Sequence, residues 1–376
     1  MTSKNIGQGV LKLDAHEYIS EDDYQRLFPA MSKSITRLES GDVLTGIIGT
    51  FENLYLYTGC ERFGISSAIA VIRPDQGRIH PTFLYYYLSM PRIQSLKESL
   101  ASGSVQGYTN LSVLGSLPVL LPQLKEQRAI AEVLGALDDK IAANANLVSL
   151  LGEHIDASFF SIVGPWRERI PLGELVSITK GVSYRSVDLV PSATALVTLK
   201  SIQRDGSYST RGLKAFAGAF KDAQKIRGGE IVVAYTDLTQ AADVVGRAVR
   251  VPASSDFDTL VASLDIAIVR PKPVVEQDFV LGVLRDRRFI EHCKSRTTGT
   301  TVLHLARDAI ESFSAPEVSI EVQMRYAAVV APMHHMRDAL EREGEAVASM
   351  RDELLPRLMS GKIRVMHAEQ MVGDVV

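Results

Sequence analysis

The chain repeats itself at a nearly constant distance, and a repeat of this length constrains the architecture before any local propensity is weighed. Gln127, in LKEQRAIAEVLGAL, answers to Gln323, in IEVQMRYAAVVAPM, 196 positions further on. Phe83 and Leu88 of FLYYYL answer to Phe279 and Leu284 of FVLGVL, and Gly103 to Gly299, at the same offset. SSAIAVIRP, ending in Arg73-Pro74, matches SLDIAIVRP, ending in Arg270-Pro271, at 197. Upstream, ESGDVLTG around Gly41 resembles RGGEIVVA around Gly229 at 188, the shortening that a loop insertion gives. The chain is a tandem duplication, so its fold must be built twice.

Each copy has two parts. The first mixes β-like runs, 42–49 and 229–235, with Gly, Asp, Ser and Thr turns, and follows them with one short helix, over 81–100 and 276–294. The second is a long helical run, 125–162 and 320–359. Ile130, Leu134, Leu137, Ile141, Val148, Leu151, Ile155 and Ile162 fall at alternating steps of three and four, with Asn144 filling a gap. In copy two Tyr326, Val329, Met333, Met336, Leu340, Val347, Met350 and Leu354 do the same around Glu343. Neither seam is stable unpartnered, so the helices are expected to pack on each other, antiparallel, as a rod on the order of 55 Å at about 1.5 Å per residue. Pro332 should kink or break the second. The expected fold is α+β, two globules in tandem joined by two antiparallel helices in a coiled coil. The divisions are 1–122 and 166–315 for the globules, 123–165 and 316–365 for the helices, and 366–376 for a tail.

With 376 residues, 46% of them hydrophobic, the chain can bury more than one core. Two cysteines, Cys60 and Cys293, are too few for a disulfide framework or a four-ligand zinc site. No apolar run is long enough to span a bilayer and the N-terminus lacks a signal-peptide pattern, so a cytoplasmic protein without a membrane partner is expected. The net charge of −3 hides an uneven distribution: 1–122 carries −1, 123–169 −2, 170–312 +3 and 313–376 −3. The positive stretch permits nucleic-acid binding by the second globule. Catalytic signatures are missing. SGKI at 360–363 lacks the upstream glycine of a phosphate loop, His334-His335 has no matched carboxylate or cysteine cluster, and no Asn/Asp-Pro-Pro-aromatic tetrapeptide occurs.

At LPVLLPQLKEQRAIAEVLGALDDKI, 117–141, the sequence resembles the conserved region of specificity subunits of Type I restriction-modification enzymes. Pro122, Glu126, Gln127, Ile130, Leu134, Leu137 and Asp138 fill that pattern; the second copy keeps Pro316 and Gln323 but has Val322 and His334 in place of the Glu and the Asp. IPLGELVSITKGVSY, 170–184, resembles the opening of a target recognition domain, GSVQGYTNLSVLGSLPV its closing loop, and LLPRLMSGKIRV the family's C-terminal ending. The resemblance runs over 3–365. Residues 3–13 align with 199–209, so 170–197 has no counterpart after Met1; the expectation is an upstream start, which mass spectrometry of the native protein would reveal.

The resemblance implies a non-catalytic DNA reader of a bipartite target. Its partners would be double-stranded DNA, two methyltransferase subunits and restriction or motor subunits. It would bind no cofactor or metal itself, S-adenosylmethionine, ATP and Mg being held by those partners. The spacer residues expected to meet partners or form the helices are Glu126, Gln127, Ile130, Leu134, Leu137, Gln323, Tyr326 and Met333. Base and phosphate readout needs polar side chains on Gly-rich tips. The candidates are Gln106, Tyr108, Thr109 and Asn110 in copy one, and Lys200, Gln203, Arg204, Lys294, Arg296, Thr297 and Thr298 in copy two. The rival reading is a helical scaffold that binds protein alone.

Overall fold

The computed structural model describes residues 1–13, 17–29, 37–47, 53–101 and 111–373. The fold is α+β and forms two compact units, Met1–Asn144 with Glu343–Val376, and Ala145–Arg342. The unit boundaries lie elsewhere than the sequence divisions, because each falls inside one of two 40-residue helices, Leu124–Val163 and Ile320–Met359. Each unit therefore owns part of both long helices and buries them in its own core.

In the first unit the strand Val43–Gly46 is the centre of an antiparallel sheet, with Leu54–Leu56 on one side and Ile69–Ile72 on the other. In the second, Ile231–Ala234 stands in the same place between Ala248–Arg250 and Ile266–Pro271. Every residue of both central strands is buried. Alternation sends Ile231 and Val233 to one cluster and Val232 and Ala234 to another, as a strand covered on both faces requires. The second sheet gains a fourth strand, Val176–Lys180, paired outside Ile266–Pro271. It comes from the segment without a counterpart in copy one, whose sheet has three strands among the described residues. The alignment of 3–13 with 199–209 is visible as well. Each stretch opens with a 3₁₀ turn, Ser3–Asn5 or Leu199–Ser201, and closes with an isolated bridge, Ile6 to Leu11 or Ile202 to Tyr208.

Where the sequence suggests one short helix per copy, the structure has two: Pro81–Ser89 then Pro91–Ala101, and Gln277–Arg285 then Arg287–Ser295. The breaks fall at Met90 (φ −59°, ψ 135°) and Asp286 (φ −62°, ψ 138°), again 196 apart. Pro91 pushes Met90 out of the helical region, and Asp286 caps the next helix by accepting from the Arg288 N–H.

In the first unit the long helices run antiparallel: Arg351 meets Asp138 at 2.7 Å, and Asn144 donates to Glu343 at 2.7 Å. Residue numbers fall along one as they rise along the other. In the second unit the Phe159 ring stands edge-on to Tyr326, centroids 5.3 Å apart. In the seam of the first helix Ile130, Leu134, Leu137 and Ile155 are buried and Ile141, Val148, Leu151 and Ile162 half-buried, while near its end Phe159 and Val163 are the buried residues. The second departs: Val329 and Met336 are exposed, and Val330 and His334 take their places. From Gln323 to His334 the buried stripe steps by three, four and four, close to the 3.6-residue turn of a straight helix, whereas Val347 and Leu354, seven apart, are buried as their spacing predicts. That helix also passes unbroken through Pro332. Pro332 and Ala328, whose carbonyl the ring deprives of its donor, both lie on the exposed side, where solvent can serve that carbonyl. Beyond 365 the expected tail is instead a helix, Val365–Gly373, whose buried Ala368 and Val372 join the first unit's core. Among the described residues no helix is long and apolar enough to cross a membrane.

Candidate nucleic-acid interface

Most candidate readers of the second unit stand on two loops that lean on a third, which one buried carboxylate holds. Asp237, 1% exposed, accepts from the N–H groups of Thr239, Val244 and Val245 and from the Thr239 hydroxyl, so that 237–245 is a fixed loop. Burial alone would raise its pKa; these bonds outweigh it and hold the carboxyl below its ordinary value. Two neighbouring loops lean on this one. Arg204 reaches Asp243 at 3.6 Å, and Gln240 donates to the Thr300 carbonyl.

The first of these loops is the turn 203–206, closed by Gln203 N–H to Ser207 O at 3.0 Å and by Ser207 N–H to Asp205 Oδ1 at 2.8 Å. Gln203 and Arg204 are exposed on it and Lys200 on the 3₁₀ turn just before it, although the Gln203 amide donates to the Lys200 carbonyl at 3.0 Å. The second is a hairpin pairing Thr297 with Leu305 and Thr298 with His304. Its turn needs Gly299: φ is +118°, and a Cβ would stand 2.1 Å from the Val302 carbonyl oxygen. Thr298 is exposed, whereas Thr297 and Lys294 are half-buried, the Thr297 hydroxyl donating to the Lys294 carbonyl at 2.9 Å. Arg296 ends the preceding helix and pairs with Asp308 at 2.7 Å, which pulls the Asp308 carboxyl down. The structure thus brings the two sequence strings of copy two together around one loop. The guanidinium groups of Arg204 and Arg296 are shared with carboxylates, and Lys200 presents an exposed cation. Gln106, Tyr108, Thr109 and Asn110 lie outside the described residues.

The long-helix candidates mostly face inward. Ile130, Leu134, Leu137 and Tyr326 are buried, Met333 packs against the second unit's core, and Glu126 is exposed. The two glutamines that define the repeat are clasps. Gln127 accepts from the His80 N–H at 2.8 Å and donates to the carbonyls of Pro122 and Arg78 at 2.8 and 3.1 Å. Gln323 accepts from the Glu276 N–H at 3.1 Å and donates to the Val318 carbonyl at 3.2 Å. His80 and Glu276 are the N-caps of the two equivalent short helices, so one amide in each unit ties a helix start of the globule to the root of a long helix. A second clamp repeats too. Arg73 grips Asp42 through two 2.8 Å bonds, and Arg270 grips Glu230 at 2.6 and 3.0 Å. Each acid follows a glycine with positive φ, Gly41 at +96° and Gly229 at +92°. In the sequence these residues mark the repeat; the recurrence of a Gly-acid pair and an Arg-Pro pair in each copy, 31 and 40 residues apart from acid to arginine, was the available signal for the bidentate pair.

One difference between the halves lies on the long helices. Asp138 accepts from Arg351 and from the Tyr86 hydroxyl, both at 2.7 Å. At the matching place in the second copy His334 is buried, its Nε2 3.8 Å from Asp278 and without a hydrogen bond. Burial, reinforced by Arg250, Arg337 and Arg285 against Asp338, lowers its pKa to about 4.

Comparison with known proteins gives three results. A family model described as "Type I restriction modification DNA specificity domain" matches residues 23–150. A curated protein of Methanocaldococcus jannaschii, "Putative type I restriction enzyme MjaX specificity subunit", is 28% identical over 122 residues, 31% of this chain and 29% of that protein, so the match spans under a third of that relative. The crystal structure of a Type-I restriction-modification system S subunit from M. genitalium shares the fold, with TM-score 0.55 and 17% identity over 88% of this chain and 87% of that one.

Proposed function

From the premise that the chain is a relative of the specificity subunits of Type I restriction-modification systems, we propose that it reads a bipartite double-stranded DNA target. The observation that carries this reading is the doubled build. The same sheet, split helix pair, glutamine clasp and arginine clamp occur in both units, so one chain supplies the two-fold matching that a homodimer otherwise supplies. Residues 1–122 and 166–315 act as readers, each for a few base pairs, and 123–165 and 316–365 act as spacers that leave the intervening base pairs unread. Half-sites about 34 Å apart, one helical turn, present the same groove on one face of the duplex.

In this reading the chain recruits two methyltransferase subunits and restriction subunits through the exposed faces of the long helices, Glu126 among them. It performs no chemistry itself and works in the cytoplasm. S-adenosylmethionine, ATP and Mg belong to the partners, where they supply the methyl group and drive the motor. The test is methylome sequencing of a host expressing this chain with its methyltransferase subunit. An interrupted two-part adenine motif is expected, and a continuous motif or none refutes the proposal.

A further inference from the structure

The second unit carries a sheet with no equivalent among the described residues of the first: Lys214–Ala215, Thr194–Val197, Thr259–Ala262 and Lys225–Ile226, in that order across it. Its register lines up Lys214, Leu196, Val261 and Lys225 as one row, and directly paired residues share a face. The opposite face, with Ala195, Leu260 and Ala262, joins the internal core. On the row's own face Leu196 and Val261 are covered by Phe216, Tyr184 and Phe220. That small apolar cap is flanked at both sheet edges by lysines: the Lys214 ammonium stands 6.0 Å from the Tyr184 ring, and that of Lys225 6.0 Å from the Phe220 ring. Lys221 is exposed on the connection between them. The interleaved carboxylates are engaged locally, Asp222 with Lys225 at 2.9 Å and Asp188 with the Arg185 N–H at 2.8 Å.

We propose that this lysine-edged face is the surface by which the second unit grips the phosphate backbone of duplex DNA, a refinement that rests on the DNA-reading function proposed above. The occupant follows from charge and spacing. Outer strands of a four-stranded sheet stand about 14 Å apart at roughly 4.8 Å per step, which suits phosphates on the two banks of a major groove about 12 Å wide. Phe216 is buried, and Tyr184 and Phe220 are half-buried beside the lysines, so the rings offer no platform for stacked single-strand bases. The face also accounts for the position of the positive charge in the sequence, which sits in 170–312.

The experiment measures binding of the full chain to a fluorescent duplex across a salt series, comparing wild type with Lys214→Gln/Lys225→Gln and, separately, Lys221→Gln. Circular dichroism checks that each variant is folded. Each phosphate contact contributes about 0.9 to the slope of log affinity against log salt, so Lys221→Gln should be shallower by about one and the double variant, in which Lys225 is shared with Asp222, by about one to two. Folded variants with the wild-type slope overturn this proposal while leaving DNA reading intact. A wild-type chain that binds no duplex overturns both, and one that prefers a single strand of the same sequence overturns the assignment to duplex.

Discussion

Replacing Gln127 by Leu keeps most of the side-chain volume and removes all three of its hydrogen bonds. The His80 N–H and the carbonyls of Pro122 and Arg78 then lose their partner beside a side chain that is 0% exposed. A buried polar group left unpaired costs about 1–3 kcal/mol, and with some access to water a loss of about 3 kcal/mol in total is expected. Gln323→Leu breaks two bonds that are longer, at 3.1 and 3.2 Å, and should cost about 2 kcal/mol. The two losses can be assigned separately because Trp166, the one tryptophan, lies in the second unit. In urea titrations of the full chain, Gln323→Leu should lower the midpoint seen by Trp166 fluorescence. Gln127→Leu should lower a midpoint seen by circular dichroism at unchanged m. Gln127→Glu is the sharper case, since it alters one atom group yet turns two donors into an acceptor facing two carbonyls. Its neutral form fits better, so its folded pKa lies above the unfolded value of about 4.3. The folded state then holds the extra proton in that window, and stability falls as pH rises through it and recovers on acidification. Losses below about 0.5 kcal/mol for both Leu variants, or a Glu variant that gains stability as pH rises, would refute the clasp.

Other consequences follow from the same geometry. His334 has a depressed folded pKa, so the unfolded chain binds the extra proton between about 6.5 and about 4 and stability drains as pH falls through that window, by up to about 3 kcal/mol; His334→Leu should flatten the Trp166-detected urea midpoint over the same range. Arg351→Met strands Asp138, still bound by the Tyr86 hydroxyl, and with about a third of each ionic side chain exposed the cost should be about 1–2 kcal/mol, partly restored by adding Asp138→Asn, as a double-mutant cycle would measure. Gly299→Ala drives a Cβ against the Val302 carbonyl and should speed amide exchange across 297–305 relative to the central sheet, whereas unchanged exchange would mean the turn adapts without strain. Cys60, exposed, should react at once with a thiol reagent, while Cys293, buried with its thiol pushed up to about 12, should wait for unfolding of the second unit.

The duplication, the long helices and the α+β character were legible because they are written as periodicities, which survive divergence of individual residues. The split of the short helices was also written, in Pro91 and in an Asp286 followed by a helical run, but local breaks are easily overridden by a continuous apolar stripe. Three features were hidden for physical reasons. The stripe of the second long helix slips from Val329 to Val330 because valine occupies both positions, so composition alone cannot choose the register. Gln127 and Gln323 read as markers of the repeat and as spacer residues that meet partners or form the helices, and only the fold discloses that backbone groups from elsewhere in the chain converge on them. The lysine face was invisible for a similar reason: Lys214 and Lys225 are neighbours only across four paired strands, two of which run parallel.

The second unit is one uninterrupted stretch of chain, whereas the first is assembled from both ends, and the joints are Asn144 and Glu343, hydrogen-bonded to each other. Residues 145–342 are therefore a cassette, exchangeable through a single pair of cuts that leaves the other unit's globule untouched. The cuts fall within continuous helices, so an incoming cassette must arrive in phase. One residue too many turns everything beyond it by about 100°, while a surplus of seven or eleven nearly restores the angle and lengthens the helix by about 10 or 16 Å. The second unit can then be exchanged without altering the first, and the helical joint lengthened only in such quantised steps.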